Sequence, residues 1–386
     1  MELAKPVAFV GVAESDHIGP QPDKTALQLL GEAARNALDD AGLEPYEVDG
    51  LFTAAGSSVY AVSEYLGLRP RYFDGTNVGG SSYVIHTQHA LAAIQAGLCE
   101  VALIAHGRQN FSTRSRAGSS WAFGGGDPFE TASVSFERPF GMGEPVNGYA
   151  MAATRHMALY GTTHDDFAEI AVATRKWAQL NPKAFIRDPL SFEEYHASRW
   201  ISYPFHLYDC CLLTDAGGAA IVTSLERARS LKKRPIRILG SGESTTHQTI
   251  ANMPDFTQTP ARYSGKEAFG RAGVSPGEID VAELYDSFTY TVLVTLEELG
   301  FCGKGEGGAF VRGQRTAPGG EFPLNTSGGG ISYNHPGYLG VFLIIEAVRQ
   351  LRGECGDRQV KDAELGCVNG TGGTFSATGT LILGRD

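Results

Sequence analysis

The sequence predicts an α/β fold built from two duplicated halves, and three observations carry that prediction. The first is an internal repeat: AGLEPYEVDGLFT, starting at Ala41, returns as AGVSPGEIDVAELYD at Ala272, both reading A-G-apolar-x-P-x-E-apolar-D before an apolar run. In each copy a helical pattern precedes the motif, glycine stands where the helix should end, and a β-rich stretch follows. The second is the alternation of strand and helix patterns, which implies a mainly parallel sheet with helices on its faces. The third is length: 386 residues exceed the roughly 250 to 300 that one core holds, so two units are expected.

Taken in order, the first half reads as strand VAFVGVA (7–13), helix 25–42, strand VDGLFTA (48–54), helix YVIHTQHALAAIQAG (83–97), strand VALIAHG (101–107) and strand GGAAIVTSL (217–225). The second reads as strand PIRILGSG (235–242), helix GKEAFGRAG (265–273), strand DVAELY (280–285), helices TYTVLVTLEELG (289–300) and VFLIIEAVRQLRG (341–353), and closing strands LGCVNG (365–370) and GTLILGR (379–385). The halves divide as 1–230 and 231–386. Residues 108–165, rich in Gly, Phe, Ser and Arg, break the pattern and read as an inserted loop region over a site.

Composition narrows the function classes. A hydrophobic share of 42% with 49 glycines describes a globular enzyme with many tight turns. The formal net charge of −11 opposes a nucleic-acid partner. No apolar stretch approaches the roughly 18 residues a membrane span needs, and the first residues run straight into a strand pattern, so a cytoplasmic protein without membrane attachment is expected. The six cysteines, at 99, 210, 211, 302, 355 and 367, show no CxxC pair and no histidine at zinc-ligand spacing. Neither a metal nor a disulfide is expected, and Cys99, Cys210, Cys211, Cys302 and Cys355 read as small buried hydrophobes.

Five blocks carry the chemistry: NVGGSS (77–82) ahead of a helix, DCCLLTDAGGAAIV (209–222), ELYDSF (283–288), GGGISYNHPG (328–337) and CVNGTGG (367–373). In this order they resemble the thiolase superfamily, in particular its sterol-carrier and lipid-transfer type, along nearly the whole chain. The resemblance implies the thiolase fold: two duplicated α/β halves in a five-layered αβαβα arrangement, with an acyl-CoA substrate that itself carries coenzyme A and no other cofactor.

The resemblance breaks at the nucleophile. Thiolases carry their cysteine in N-x-x-C-x-S at a helix start, where the dipole lowers a thiol pKa. Aligning Asn77 and Ser82 puts Gly80 at that position, and a glycine forms no acyl-enzyme. Ser81 and Ser82 read as helix-start hydroxyls with no assigned base. The niche still offers backbone N–H groups to a carbonyl oxygen or anion, and the missing side chain makes room for a bulkier substrate. Gly80, Ser81, Asp286 and Gly370 are therefore the expected substrate-binding positions.

Where thiolases have Asn-Glu-Ala-Phe or His-Asp-Cys-Phe, this chain has Tyr285-Asp286-Ser287-Phe288, and the family's Gly-His-Pro survives as Asn334-His335-Pro336 with Tyr333 two residues earlier. By resemblance, His335 polarises the thioester oxygen and Cys367 sits near the second, proton-moving cysteine, in imperfect register; a structural role for Cys367 is the alternative. Without an acyl-enzyme, such a site can still stabilise a thioester enolate and cleave the Cα–Cβ bond of a β-hydroxyacyl-CoA. This resembles the lipid-transfer-type aldolases of steroid side-chain degradation, which use tyrosines, so Tyr285 and Tyr333 are expected to share the acid and base roles, in either order.

An acyl-CoA acyltransferase working through Cys367 and a silent acyl-CoA or lipid-binding subunit are the alternative functions. Gly80, Tyr285, Tyr333, His335 and Cys367 should meet in one pocket under 108–165. The resemblance also implies a homodimer and a small DUF35-type partner, built from a zinc ribbon and an OB-fold. The stretch SSWAFGGGDPFETASVSFERPFGMG within 108–165 supplies the physical motive for that partner, in a heterotetramer, because it lacks any helical or strand period; a self-packed active-site loop is the alternative.

Overall fold

The computed structural model describes residues 5–54, 58–113, 135–143 and 145–386. Their strands are β1 Val7–Glu14, β2 Gly50–Thr53, β3 Tyr72–Asp74, β4 Val101–Gln109, β5 Trp200–Ser202, β6 Phe205–His206, β7 Asp215–Ser224, β8 Ile236–Thr245, β9 Val281–Leu284, β10 Leu365–Gly372 and β11 Ala377–Arg385. All but the β5–β6 hairpin join one sheet in the order β3-β2-β4-β7-β1-β8-β11-β10-β9.

That order contains the same unit twice. From β3 inward, β2 and β4 run parallel while β7 and β1 are antiparallel additions. From the other edge, β9 and β10 run parallel while β11 and β8 are antiparallel additions. Among the described residues the two sheet units pair with each other through β1 and β8, over Ala8–Arg237 and Phe9–Ile236. A parallel bridge from Ala282 to Leu324 stands where β3 stands in the first unit.

Helices complete five layers. Helix Ala26–Ala41 packs on β1, β4 and β7, and helix Ala261–Ala272 on β8 and β11, forming the outer layers. Between the two sheet units, helices Ser82–Gln95 and Gly340–Arg352 touch each other and strands of both units. Both middle helices are buried almost all round their first turns, as a middle layer requires. The outer helices sit close because strand glycines admit their backbones: a methyl on Gly217 would lie 2.1 Å from the Leu29 carbonyl oxygen, and one on Gly240 2.0 Å from that of Ala268.

The repeated motif has one physical explanation in both copies. Gly42 and Gly273 close the outer helices at φ 72° and 70°, a left-handed cap that glycine adopts freely. A 3-10 turn follows, Pro45–Glu47 or Pro276–Glu278, and the motif glutamate takes the backbone N–H three residues before it: Glu47 from Glu44 at 2.9 Å, Glu278 from Ser275 at 2.8 Å. β2 or β9 then enters the sheet.

The described residues of the 108–165 stretch hold regular structure beyond a loop. β4 runs to Gln109, and helix Val146–Tyr160 buries Tyr149, Ala152, Ala153 and His156 on one face. The glycine-rich flanks obscure that helical period in the sequence. Residues 114–134 and 144, with most of SSWAFGGGDPFETASVSFERPFGMG, lie outside the described residues. Helices Val59–Leu66 and His164–Leu180 also go beyond the elements read from sequence. Among the described residues no helix is long and apolar enough to cross a membrane.

Candidate active site

The 76–82 turn is built by its own side chains. Asp74 accepts from the Thr76 N–H and hydroxyl, both at 2.8 Å, and Ser82 Oγ accepts from Val78 N at 3.0 Å while donating to the Gly79 carbonyl at 2.7 Å. The turn then lies on the C-terminal glycine block, where a methyl on Gly372 would be only 1.7 Å from the Val78 carbonyl oxygen. Ser81 is buried against Gly370 and Gly372, so these two expected substrate-binding positions meet each other in a tight packing contact.

The niche at Gly80 is filled. A Cβ built there would meet Cζ and Oη of Tyr285 at 2.4 Å, closer than any real contact. The expectation that the missing side chain makes room for a bulkier substrate is therefore corrected: the space holds the Tyr285 phenol. β9 ends one residue earlier, and Tyr285 N donates to the Asn369 carbonyl at 3.0 Å, which aims the ring back under the helix start. Its oxygen lies 2.9 Å from His335 Nε2 and accepts from Leu339 N, at the start of helix Gly340–Arg352, at 3.2 Å.

The remaining blocks hold His335 in place. The Asp286 carboxylate accepts from Gly330 N at 2.6 Å and Ile331 N at 3.2 Å, pinning the π-helical turn Gly329–Tyr333. Burial raises this carboxyl to about 7, against those hydrogen bonds. Asp286 thus anchors the turn. Thr214, from the second block, accepts from His335 N at 3.0 Å and donates to Asn334 at 2.6 Å.

Protonation states follow from burial. Burial pushes the Tyr285 phenol well above its usual 10, and holds His335 down at about 4, assisted by the positive charge of Arg108. At neutral pH the pair is one phenol and one neutral imidazole. With the phenol donating to Nε2 the ring proton sits on Nδ1, which has no hydrogen-bond partner among the described residues; with the proton on Nε2 the phenol oxygen accepts instead.

Two expected members do not join this pair. The Tyr333 hydroxyl donates to Glu14 at 3.4 Å, and Glu14 is held by Arg349 and, at 3.1 Å, by Lys183. No hydrogen bond or ring contact links Tyr333 to Tyr285 or to His335's ring. Cys367 lies fully buried in β10, paired between Ala282 and Ile382, with its thiol pushed up by burial. It stands three positions from Gly370, whose Cα faces Ser81 and Val84, so strand alternation points the thiol to the opposite face. Of the five residues expected to meet, Gly80, Tyr285 and His335 are linked by direct contacts, Tyr333 shares the buried apolar cluster of Tyr285 without bonding to the pair, and Cys367 belongs to another cluster.

The structure adds three residues that the sequence reading missed. Tyr338, three positions after His335, donates to Asn77 at 3.1 Å and stacks on His106 with centroids 5.8 Å apart. Tyr149 packs on Phe288 at 4.7 Å and Phe375 at 4.3 Å, and donates to the Gly373 carbonyl at 2.8 Å. Tyr338, Tyr149 and Cys211 all act electrostatically on the Tyr285 phenol. Tyr338 had a signal in the sequence, since NHPGY carries a second phenol on the histidine's own loop.

Burial of three neutral histidines predicts a steep acid response. Burial holds His335 and His86 down at about 4 and His106 at about 3. Between those values and the unfolded value near 6.5, the unfolded chain binds more protons, so stability falls as pH drops through that window. The combined loss is on the order of several kcal/mol. Asp286, held at about 7 by burial, acts in the opposite sense over the same window. The test therefore compares the wild type with His86→Gln: urea unfolding midpoints from pH 7 to pH 4 should fall more steeply in the wild type, and parallel series would show that the ring is solvated.

Comparison with known proteins agrees with this architecture. The family model described as thiolase C-terminal domain-like matches residues 242–385. The chain is 37% identical to the 17-hydroxy-3-oxo-4-pregnene-20-carboxyl-CoA lyase of Mycobacterium tuberculosis, covering 99% of this chain and 100% of that one. It is 36% identical to the steroid side-chain-cleaving aldolase of Thermomonospora curvata, covering 99% and 98%. Among solved structures it is similar to the Ltp2-ChsH2(DUF35) aldolase, with a TM-score of 0.89 at 34% identity, over 99% of this chain and 98% of that chain.

Proposed function

The chain belongs to the thiolase superfamily, in the group of the steroid side-chain-cleaving aldolases, as a carbon–carbon lyase, and from that footing we propose what it acts on and how. The proposed substrate is a β-hydroxyacyl-CoA of a steroid side chain or a similar skeleton, cleaved to a ketone or aldehyde and a shorter acyl-CoA. The observation that carries the mechanism is the Tyr285 phenol, which fills the Gly80 niche and is bonded to His335 at 2.9 Å.

The pair is neutral, with one proton to give and one lone pair to receive it. As substrate enters, the Tyr285 phenol turns its proton from Nε2 toward Cα; the freed Nε2 takes the β-hydroxyl proton, the β-carbon becomes a carbonyl, and the Cα–Cβ electron pair moves onto the thioester as an enolate. The Tyr285 phenol protonates Cα, and the imidazolium returns a proton to the phenolate. This makes Tyr285 the acid, since burial keeps a phenol protonated. Tyr338 stands as a second phenol beside it. Coenzyme A enters with the substrate.

The chain is further proposed to work as a homodimer in the cytoplasm, where six cysteines persist as thiols. Edge strand β3 exposes Phe73, and neighbouring helix Val59–Leu66 exposes Tyr60 and Tyr65, an apolar edge suited to a twofold contact. A DUF35-type protein is the proposed second partner, on the strength of the assembly named for the similar solved structure. The deciding assay supplies a β-hydroxyacyl-CoA, with and without such a partner, and follows the carbonyl and acyl-CoA products. Cleavage only of a β-ketoacyl-CoA, dependent on added CoA, would overturn the reading in favour of a thiolase.

A further inference from the structure

Arg108 ends the buried stretch of β4, half-buried, with its charge acting on the His335 ring. Its guanidinium lies against Gly337, where a methyl group would meet Nη1 at 3.0 Å, and its Cζ is 5.7 Å from the centre of the Tyr338 ring. Its charge reaches His335, His106, Tyr338 and Tyr83. Yet among the described residues no carboxylate pairs with it; Asp286, the acid nearest in sequence to Tyr285, is occupied by the Gly330 and Ile331 N–H groups. A partly desolvated cation among neutral rings is unfavourable unless an anion joins it in the working state.

The aldol cleavage creates such an anion. We propose that Arg108 is a catalytic residue that holds the thioester oxygen of the bound acyl-CoA and receives its negative charge as the enolate forms. The inference rests on the aldolase reading. The Cα–Cβ pair moves onto the thioester oxygen while the β-hydroxyl proton goes to His335. Protonation of Cα by Tyr285 returns that pair to carbon and restores the neutral thioester. The guanidinium's fixed fork of donors suits an oxygen that gains charge in place, and such donors act chiefly on the transition state.

The test measures kcat and KM for Arg108→Lys, Arg108→Gln and Arg108→Ala on a β-hydroxyacyl-CoA that the wild type cleaves. The expected result is a kcat loss of about 10²-fold in Arg108→Gln and Arg108→Ala with little change in KM. Arg108→Lys should retain part of the rate, and millimolar guanidinium, but not ammonium, should restore Arg108→Ala. The nearly isosteric Arg108→Gln answers the question if Arg108→Ala fails to fold. Wild-type kcat in Arg108→Gln would overturn the proposal while leaving the aldolase intact. A loss confined to KM, with equal weakening of free CoA binding, would overturn it by assigning Arg108 to the coenzyme's phosphates. A wild type that cleaves no β-hydroxyacyl-CoA would bring down the aldolase reading itself, and this inference with it.

Discussion

Tyr285→Phe is expected to lower kcat for carbon–carbon cleavage by about 10²-fold or more, the effect of losing a general acid, while the chain stays folded. The ring still fills the niche under Gly80, so the packing survives. What disappears is the oxygen that contacts His335 at 2.9 Å and receives the Leu339 N–H at 3.2 Å. The orphaned N–H stands at a helix start, and leaving such a buried donor unpaired costs about 1–3 kcal/mol. Melting curves should therefore shift modestly and kinetics severely. Since KM reports binding made equally in ground and transition states, it should change little. An unchanged kcat would remove Tyr285 from the chemistry.

Gly80→Cys, which restores the residue type a thiolase uses, is expected to abolish lyase activity without creating a thiolase. The new Cβ would sit 2.4 Å from Cζ and Oη of Tyr285, so the phenol must leave its place and its bond to His335. Overpacking of this kind destabilises by about 1–3 kcal/mol. The clash also predicts coupling: Gly80→Cys combined with Tyr285→Ala should be more stable than the sum of the two single effects allows. Additive effects, or a Gly80→Cys protein with wild-type stability and lyase rate, would show that the phenol does not occupy this niche.

The repeat at Ala41 and Ala272 made a duplicated α/β fold legible in the sequence, and the five blocks, through their resemblance to the thiolase superfamily, implied its five layers and an aldolase, with an acyltransferase as the alternative. They are legible because a capped turn, a helix-ending glycine and a strand pattern are local features, fixed by residues a few positions apart. The vacancy at Gly80 was equally plain, as was the entry of tyrosine at 285.

Which side chains meet was decided only in three dimensions. Sequence could not show that the niche is filled by Tyr285, because the two residues belong to different halves and meet only where the middle helix crosses the end of β9. Tyr333 and Tyr338 flank His335 on one short loop, and the π-helical turn Gly329–Tyr333 sends the first hydroxyl to Glu14 while the second reaches Asn77. Cys367 was placed near the site by its block, yet a strand exchanges faces at every residue, and an odd offset from Gly370 turns it into the core. Arg108 carries no motif at all. Its place at the site comes from strand order, which sets β4 inside the sheet with its end beside the Gly337 loop. A motif fixes the backbone near it, whereas the direction of each side chain depends on a register set by strands and helices far away in the chain.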